Sequence, residues 1–302
     1  MNREKQIIDM EDKIVIGVGE FLWDVTPTGK RAGGAPVNFA YHASGDGVQG
    51  WAVSAVGNDA LGDELLGVAE ANGIRLLVSR VDRPTGTVDV LLKDGQPDYR
   101  INEDVAWDYI PLTDDILKMA SRASAITFGT LAQRSAVSRE TTRAILAAAP
   151  ESALKVYDIN LRQKFWSRQL IEDSLRLADV FKINDDEMDL LKGLFGWGSM
   201  GDGEAAAKFI SDYGLKLLVL TAGSDYSAVY SPEGLVSRID TPRVEVEDTI
   251  GAGDSFTGKL ISELLRGRDV RQAHGAAVET AAYVCTKSGA WNRRPQSETK
   301  IQ

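Results

Sequence analysis

The chain has 302 residues, 34 basic and 44 acidic, for a formal charge of −10, enough length for one large α/β domain or two ordinary ones. That balance is unsuited to a phosphate backbone, which is bound through clustered Lys and Arg, so nucleic acid is excluded as a general partner. The one cysteine, Cys285, leaves no disulfide framework and no thiolate metal cluster, and fits a reducing compartment, the cytoplasm.

From the N-terminus, residues 1–13 are polar and lack the apolar core of a secretory signal, and no later run has the uninterrupted length to span a bilayer. Apolar runs at 14–18, 51–56, 125–128, 155–159, 180–183 and 217–220 predict strands. Stretches of helical period at 63–71, 115–120, 139–148, 169–178, 187–195 and 205–213 predict helices between them. The strands are apolar throughout instead of alternating, as expected when both faces of a parallel sheet are covered. A doubly wound α/β core follows. Residues 85–102 break the rhythm with two β-like runs around Lys93-Asp-Gly-Gln-Pro97, the pattern of a hairpin, and 21–31 can add strands to it. Such an insertion is either an edge hairpin or a lid over the carboxyl ends of the strands, where ligands of open α/β sheets bind.

The strongest chemical signal is Asp248-Thr-Ile-Gly-Ala-Gly-Asp254, running into a helix that starts near Asp254. Free N–H groups and the helix dipole make such a turn an anion site. Asp254 is then either an N-cap or a general base beside a transferring phosphoryl group, and the residues alone leave both open. Two other glycine patterns are weaker. Gly253 to Lys259 has P-loop spacing, but Leu260 stands where a magnesium-binding hydroxyl belongs, and Gly17-x-Gly19 has Leu22 in place of the third glycine of a dinucleotide fingerprint. Near the start, Gly33-Gly-Ala-Pro-Val-Asn38 is either a tight turn with an Asn cap or a backbone approach to a polyhydroxylated ligand, with Asn38 bonding to it.

Ala32-Gly-Gly-Ala-Pro-Val-Asn38 and Asp248-Thr-Ile-Gly-Ala-Gly-Asp254 together resemble the two signatures of the ribokinase-like, or PfkB, carbohydrate kinases. The resemblance implies one ribokinase-like domain over 1–302, a doubly wound, mostly parallel sheet with a small β-sheet lid inserted from about 20–32 and 84–104. It also implies an ATP-dependent kinase with magnesium. Asp254 becomes the catalytic base and Gly251, Ala252 and Gly253 the anion hole. Asn184-Asp-Asp-Glu187 resembles the family's magnesium- and phosphate-organising motif, with Asn184 and Glu187 acting through water; by residue type alone Glu187 is a first-turn helix charge. Thr221, Gly223 and Ser224 correspond to the nucleotide-contacting strand end and Gly289 to the nucleotide-flanking loop. Asp248, with the backbone at Ile250 and Gly289, corresponds to a monovalent-cation site, for which potassium is the candidate.

For the sugar, Asp24, Gly33, Gly34 and Asn38 match the hydroxyl-binding set. Asp158-Ile-Asn-Leu-Arg162 with Trp166 after it resembles a stretch frequent in fructokinases and in 2-keto-3-deoxygluconate kinases, and Phe128-Gly-Thr-Leu-Ala-Gln133-Arg134 resembles the fructokinase pattern, which places Gln133 and Arg162 on the substrate. D-Fructose leads as the small-molecule partner. A ketodeoxysugar acid paired by Arg134 or Arg162 is second, and a non-catalytic sugar- or nucleotide-binding regulator is the alternative of another class. Exposed lid strands also make a homodimer a candidate assembly. His42 and His274 have no assigned role.

Overall fold

The computed structural model describes residues 13–26, 29–93 and 96–294. Nine strands form one sheet: β1 (Lys13–Val18), β4 (Val48–Gly57), β5 (Arg75–Val81), β8 (Ala123–Phe128), β9 (Leu154–Asp158), β10 (Val180–Asn184), β11 (Leu217–Ala222), β12 (Tyr226–Ser231) and β13 (Gly234–Asp240). Their order is β13-β12-β11-β10-β9-β8-β1-β4-β5. Neighbours are parallel from β5 to β11, while β12 and β13 add an antiparallel hairpin at one edge.

All six predicted strands lie in this sheet. The three that periodicity did not predict are β5, β12 and β13, whose residues are mixed in burial, since an edge covers only part of each strand.

The continuous apolar character of the central strands has its cause in two separate cores. Ile14, Ile16 and Val18 face one side, where they meet α3 (Asp114–Ala120), α4 (Ala136–Ala148), α5 (Arg168–Leu175), α6 (Asp185–Phe195) and α7 (Asp202–Tyr213). Val15, with Val156, Val180 and Val219, faces the other, against α1 (Ala35–Ala43), α8 (Ala252–Leu265) and α9 (Val270–Cys285). A third cluster closes α2 (Ala60–Ala71) over the outer side of α1 and β4.

One glycine of each of the two weaker glycine motifs, Gly17 and Gly258, serves packing. A Cβ on Gly17 would lie 2.2 Å from the Pro36 carbonyl oxygen, and one on Gly258 2.8 Å from that of Phe39, so each lets α1 approach a neighbour closely.

The predicted hairpin is β6 (Gly86–Lys93) and β7 (Gln96–Ile101), and the segment before the first signature supplies β2 (Leu22–Thr26) and β3 (Gly29–Gly33). They form a separate four-stranded sheet in the order β3-β2-β6-β7. Leu22, Val88 and Ile101 pack with Trp107, Leu131 and Phe165 beneath it. Among the described residues, no helix is long and apolar enough to cross a membrane.

Candidate active site

Gly251 starts α8 in a left-handed conformation, φ 76°. Any side chain there would be strained, and a Cβ would also stand 2.5 Å from that of Ala290. The N–H groups of Gly251, Gly253 and Asp254 find no acceptor among the described residues, and that of Ala252 reaches only the Thr249 carbonyl at 3.3 Å. An open, partly positive helix end therefore faces the cleft.

Asp254 is the third residue of this helix, so it is not the N-cap. Its Oδ2 accepts from Asn38 Nδ2 at 2.8 Å. Asn38 likewise does not cap α1: Gly34 does, and Asn38 sits buried one turn in. Trp291 Nε1 donates to Asn38 Oδ1 at 2.8 Å. Because an indole N–H only donates, it fixes which end of the amide meets Asp254. Burial, then the neighbouring Asp158 charge, push the Asp254 carboxyl up to about 7, against the Asn38 bond and the Lys182 ammonium.

Lys182, which the sequence reading did not single out, is a buried cation under this turn. Its Nζ is 3.3 Å from Asp158 Oδ1, and a Cβ on Gly253 would meet it at 3.4 Å. Asp158 Oδ1 has no well-angled hydrogen bond and depends on this ion pair, while Oδ2 accepts from Thr257 Oγ1 at 3.1 Å. Burial opposes the charge on Lys182, but Asp158, Glu187 and Asp254 outweigh it and raise its pKa.

Asn184 and Glu187 close a capping box at the start of α6: Asn184 Oδ1 accepts from the Glu187 N–H at 2.8 Å, and Glu187 Oε2 from the Asn184 N–H at 3.0 Å. Glu187 Oε1 takes the Leu161 N–H at 2.7 Å. Glu187 thus lies in the first turn of α6, as its residue type suggests, but as a buried acceptor of two backbone N–H groups. Asn184, Asp185 and Asp186 line the cleft in front of it.

At the lid end, Asp24 on β2 stands opposite Arg31 on β3. Burial raises its carboxyl to about 6, against the charges of Arg162 and Arg31. A Cβ on Gly33 would sit 3.1 Å from Asp24 Oδ2, so the glycine keeps this carboxylate accessible. Arg162 is exposed on the cleft wall. Glu20 is buried beside it, with one oxygen 3.3 Å from the Ala35 N–H.

Two residues expected to touch substrate lie elsewhere. Gln133 is buried, and its amide donates to Gly129 O at 2.8 Å and Ser174 Oγ at 3.0 Å, behind the cleft wall. Arg134, one of two candidates to pair a sugar acid, is bidentate to Asp108 at 2.8 Å. It is stacked between the rings of Trp107 and Phe165. Both anchor the fold under the lid.

All of this opens on a cleft of about 1470 Å³, larger than a single small-molecule pocket usually is. It runs from Asp24 and Arg162 past Asp254 to Thr221, Gly223 and Ser224, and its far wall includes Val278, Ala281 and Ala282 of α9. Gly289 does not line it. The Gly289 N–H turns back to Asp248 Oδ2 at 3.1 Å, and His42 Nε2 meets the Ala290 carbonyl at 2.7 Å. His274 is bracketed by Ser227 and Ser237, each at 2.8 Å. Both histidines are buried, and desolvation lowers each to about 4.

The donor set at the start of α6 fits magnesium, a hard cation that takes oxygen ligands and keeps several waters. The Asp248 turn does not fit a free monovalent cation. Its carboxylate pairs with Arg31 Nη1 at 2.5 Å and accepts the Ile250 N–H at 3.0 Å. Asn292 Nδ2 already donates to the Ser288 and Gly289 carbonyls, at 3.0 and 2.8 Å, and competes with an ion for them.

Comparison with known proteins agrees with this architecture. An uncharacterized sugar kinase of Pyrococcus horikoshii is 29% identical over 95% of this chain and 91% of its own. Its crystal structure superposes with a TM-score of 0.77, covering 92% of this chain and 94% of that one. An ATP-dependent 6-phosphofructokinase of Thermoanaerobacterium thermosaccharolyticum is 27% identical over 98% of this chain and 95% of its own. A fructokinase of Xylella fastidiosa with bound ATP, 22% identical, shares the fold with a TM-score of 0.81, covering 93% and 94% of the two chains. The profile of the pfkB family of carbohydrate kinases matches residues 6–297, and with both signatures meeting in one cleft the chain belongs to that family of carbohydrate kinases.

Proposed function

We propose that the protein transfers the γ-phosphoryl group of ATP to a primary hydroxyl of a sugar, with the 6-hydroxyl of D-fructose as the preferred acceptor. The observation that carries this is Asp254: a half-buried carboxylate, raised to about 7 and held by one oxygen to Asn38, beside an open helix N-terminus in a cleft that reaches the lid. A base with a pKa near the working pH is the efficient choice.

In this reading the sugar lies between Asp24 and Asn38, against Gly33 and Gly34. Asp254 takes the proton of the attacking hydroxyl on its free Oδ1 as the phosphoryl group moves in line. The N–H groups at Gly251, Ala252 and Gly253 stabilise the charge on the transferring oxygens, and Lys182 holds fixed positive charge beneath them. Thr221, Gly223, Ser224 and the α9 wall receive the nucleotide. Asn184 and Glu187, with Asp185 and Asp186 in front, would hold magnesium, which when bound neutralises phosphate charge. A closed lid keeps water, a competing acceptor, from the phosphoryl group.

Fructose is favoured over a sugar acid because the free arginine is already balanced. Arg162 faces Asp24 and Glu20 and offsets part of the burial that raises both carboxyls, so an anionic sugar entering there meets those acidic groups as well as the guanidinium. A coupled assay of ADP release over fructose, ketodeoxygluconate and ribose tests the reading. Turnover on fructose with the highest kcat/KM is expected. Preference for ketodeoxygluconate would move the substrate to the acid, and silence on every sugar, with ATP still bound, would favour a regulator.

A further inference from the structure

We propose that Arg31 is a built-in cation: its guanidinium occupies the charge position at Asp248 that the family resemblance assigns to a monovalent ion, and it ties the lid directly to the anion-binding turn. The inference rests on the phosphoryl-transfer reading of that turn.

Asp248 is held at only 12% exposure, so its carboxylate needs a cationic partner. It is also the residue that shapes the turn. Its Oδ1 takes the Ile250 N–H, its Oδ2 takes the Gly289 N–H, and its own N–H donates to Cys285 O at 3.3 Å. Whatever balances this carboxylate therefore sets the position of Gly251 to Gly253. An ion doing so would need several oxygen ligands. Here the carboxylate pairs with Arg31, and the loop carbonyls of Ser288 and Gly289 each already accept from Asn292. Guanidinium is permanently charged and cannot be lost to dilution or exchanged.

Arg31 comes from β3, 217 residues away in the chain. Its cross-strand neighbour on β2 is Asp24. One side chain thus stands between the carboxylate at the sugar end and the carboxylate that orders the phosphoryl end. With Arg31 half exposed, the pair contributes only about 0.2–1 kcal/mol to folding. Variants should fold, and the effect belongs to the turn.

The test compares wild type, Arg31→Ala and Arg31→Lys in potassium chloride and in tetramethylammonium chloride at equal ionic strength. Wild type should show the same kcat and melting temperature in both salts. Arg31→Ala should lose about 10- to 10²-fold in kcat in tetramethylammonium, less than the ~10²–10³ of deleting an oxyanion-site donor outright because the N–H groups remain, and potassium should restore turnover and raise its melting temperature. Arg31→Lys should be intermediate in turnover and less responsive to potassium. Potassium activation of wild type overturns the proposal, as does an Arg31→Ala protein with full, salt-indifferent turnover. The melting readout needs no sugar. If no sugar is accepted but only Arg31→Ala is stabilised by potassium, the built-in cation stands and the kinase reading falls.

Discussion

The two carboxylates across the cleft, Asp254 and Asp24, both titrate far above an ordinary aspartate, at about 7 and about 6, for different reasons. Asp254 sits on a core helix among Asn38, Asp158 and Lys182, and its orientation is set by α1 and Trp291. Asp24 sits on a lid strand, and the burial that raises it is opposed by the charges of two exposed arginines, Arg162 and Arg31. The phosphoryl end is thus organised by packing before any ligand arrives, whereas the sugar end is organised by charges that a ligand can rearrange. Chemistry should fail when the first is damaged, and affinity when the second is.

Asp254→Asn gives the largest break. Turnover should fall by about 10²–10⁴-fold, the usual contribution of a general base, with KM for sugar changing far less. Because the base works deprotonated, wild-type kcat should rise with pH through about 7, and this dependence should vanish in the variant. Near-normal turnover would remove Asp254 from the mechanism.

Arg134→Ala tests whether the floor beneath the lid is structural. The variant strands the buried carboxylate of Asp108 and empties the stack between Trp107 and Phe165. It should cost about 3–5 kcal/mol of stability, read by denaturant unfolding. Arg162→Ala, exposed on the cleft wall, should leave stability unchanged and raise KM. If the two variants exchange phenotypes, the assignment of Arg134 to the fold is wrong.

Much of this division was legible in the residues. The six central strands and the two glycine-bearing signatures were visible because parallel strands covered on both faces are apolar throughout and because tight turns at helix starts select glycine. Residue type could not separate a structural role from a functional one: Asp254 and Asn38 had a capping reading and Glu187 that of a first-turn helix charge, and only the structure shows that, of the three, Glu187 is the one in a capping box. Gln133 and Arg134 misled because a motif fixes position along the chain but not which wall a side chain faces. Lys182 had a readable signal in hindsight, a lysine inside the apolar run Val180-Phe-Lys-Ile183, which burial makes costly unless it is paired. Arg31 had none, since its partner lies at the other end of the sequence.

The next break acts behind the phosphoryl end. His42 and His274 are buried and neutral, with folded pKa values of about 4, below the ordinary 6.5. The unfolded chain binds their protons first, so their contribution is present above pH 6.5 and is lost as pH falls toward 4. By pH 5 each should cost about 2 kcal/mol of stability. His42→Gln, which retains a donor for the Ala290 carbonyl, should flatten the acid limb of the stability profile; an unchanged limb would place the acid sensitivity elsewhere.

Asp24→Asn is the mildest and bears most directly on the comparison. The amide keeps an acceptor for a sugar hydroxyl but loses the charge that strengthens the bond, a difference of about 1.5 kcal/mol. KM for sugar should therefore rise about tenfold with kcat nearly unchanged. Since burial lifts Asp24 to about 6, kcat/KM of the wild type should lose activity in two steps as pH falls, near 7 and near 6. Asp24→Asn should keep only the upper one. Were its kcat to drop as far as that of Asp254→Asn, Asp24 would be acting on the chemical step itself, and the separation between a chemical end at Asp254 and a binding end at Asp24 would collapse.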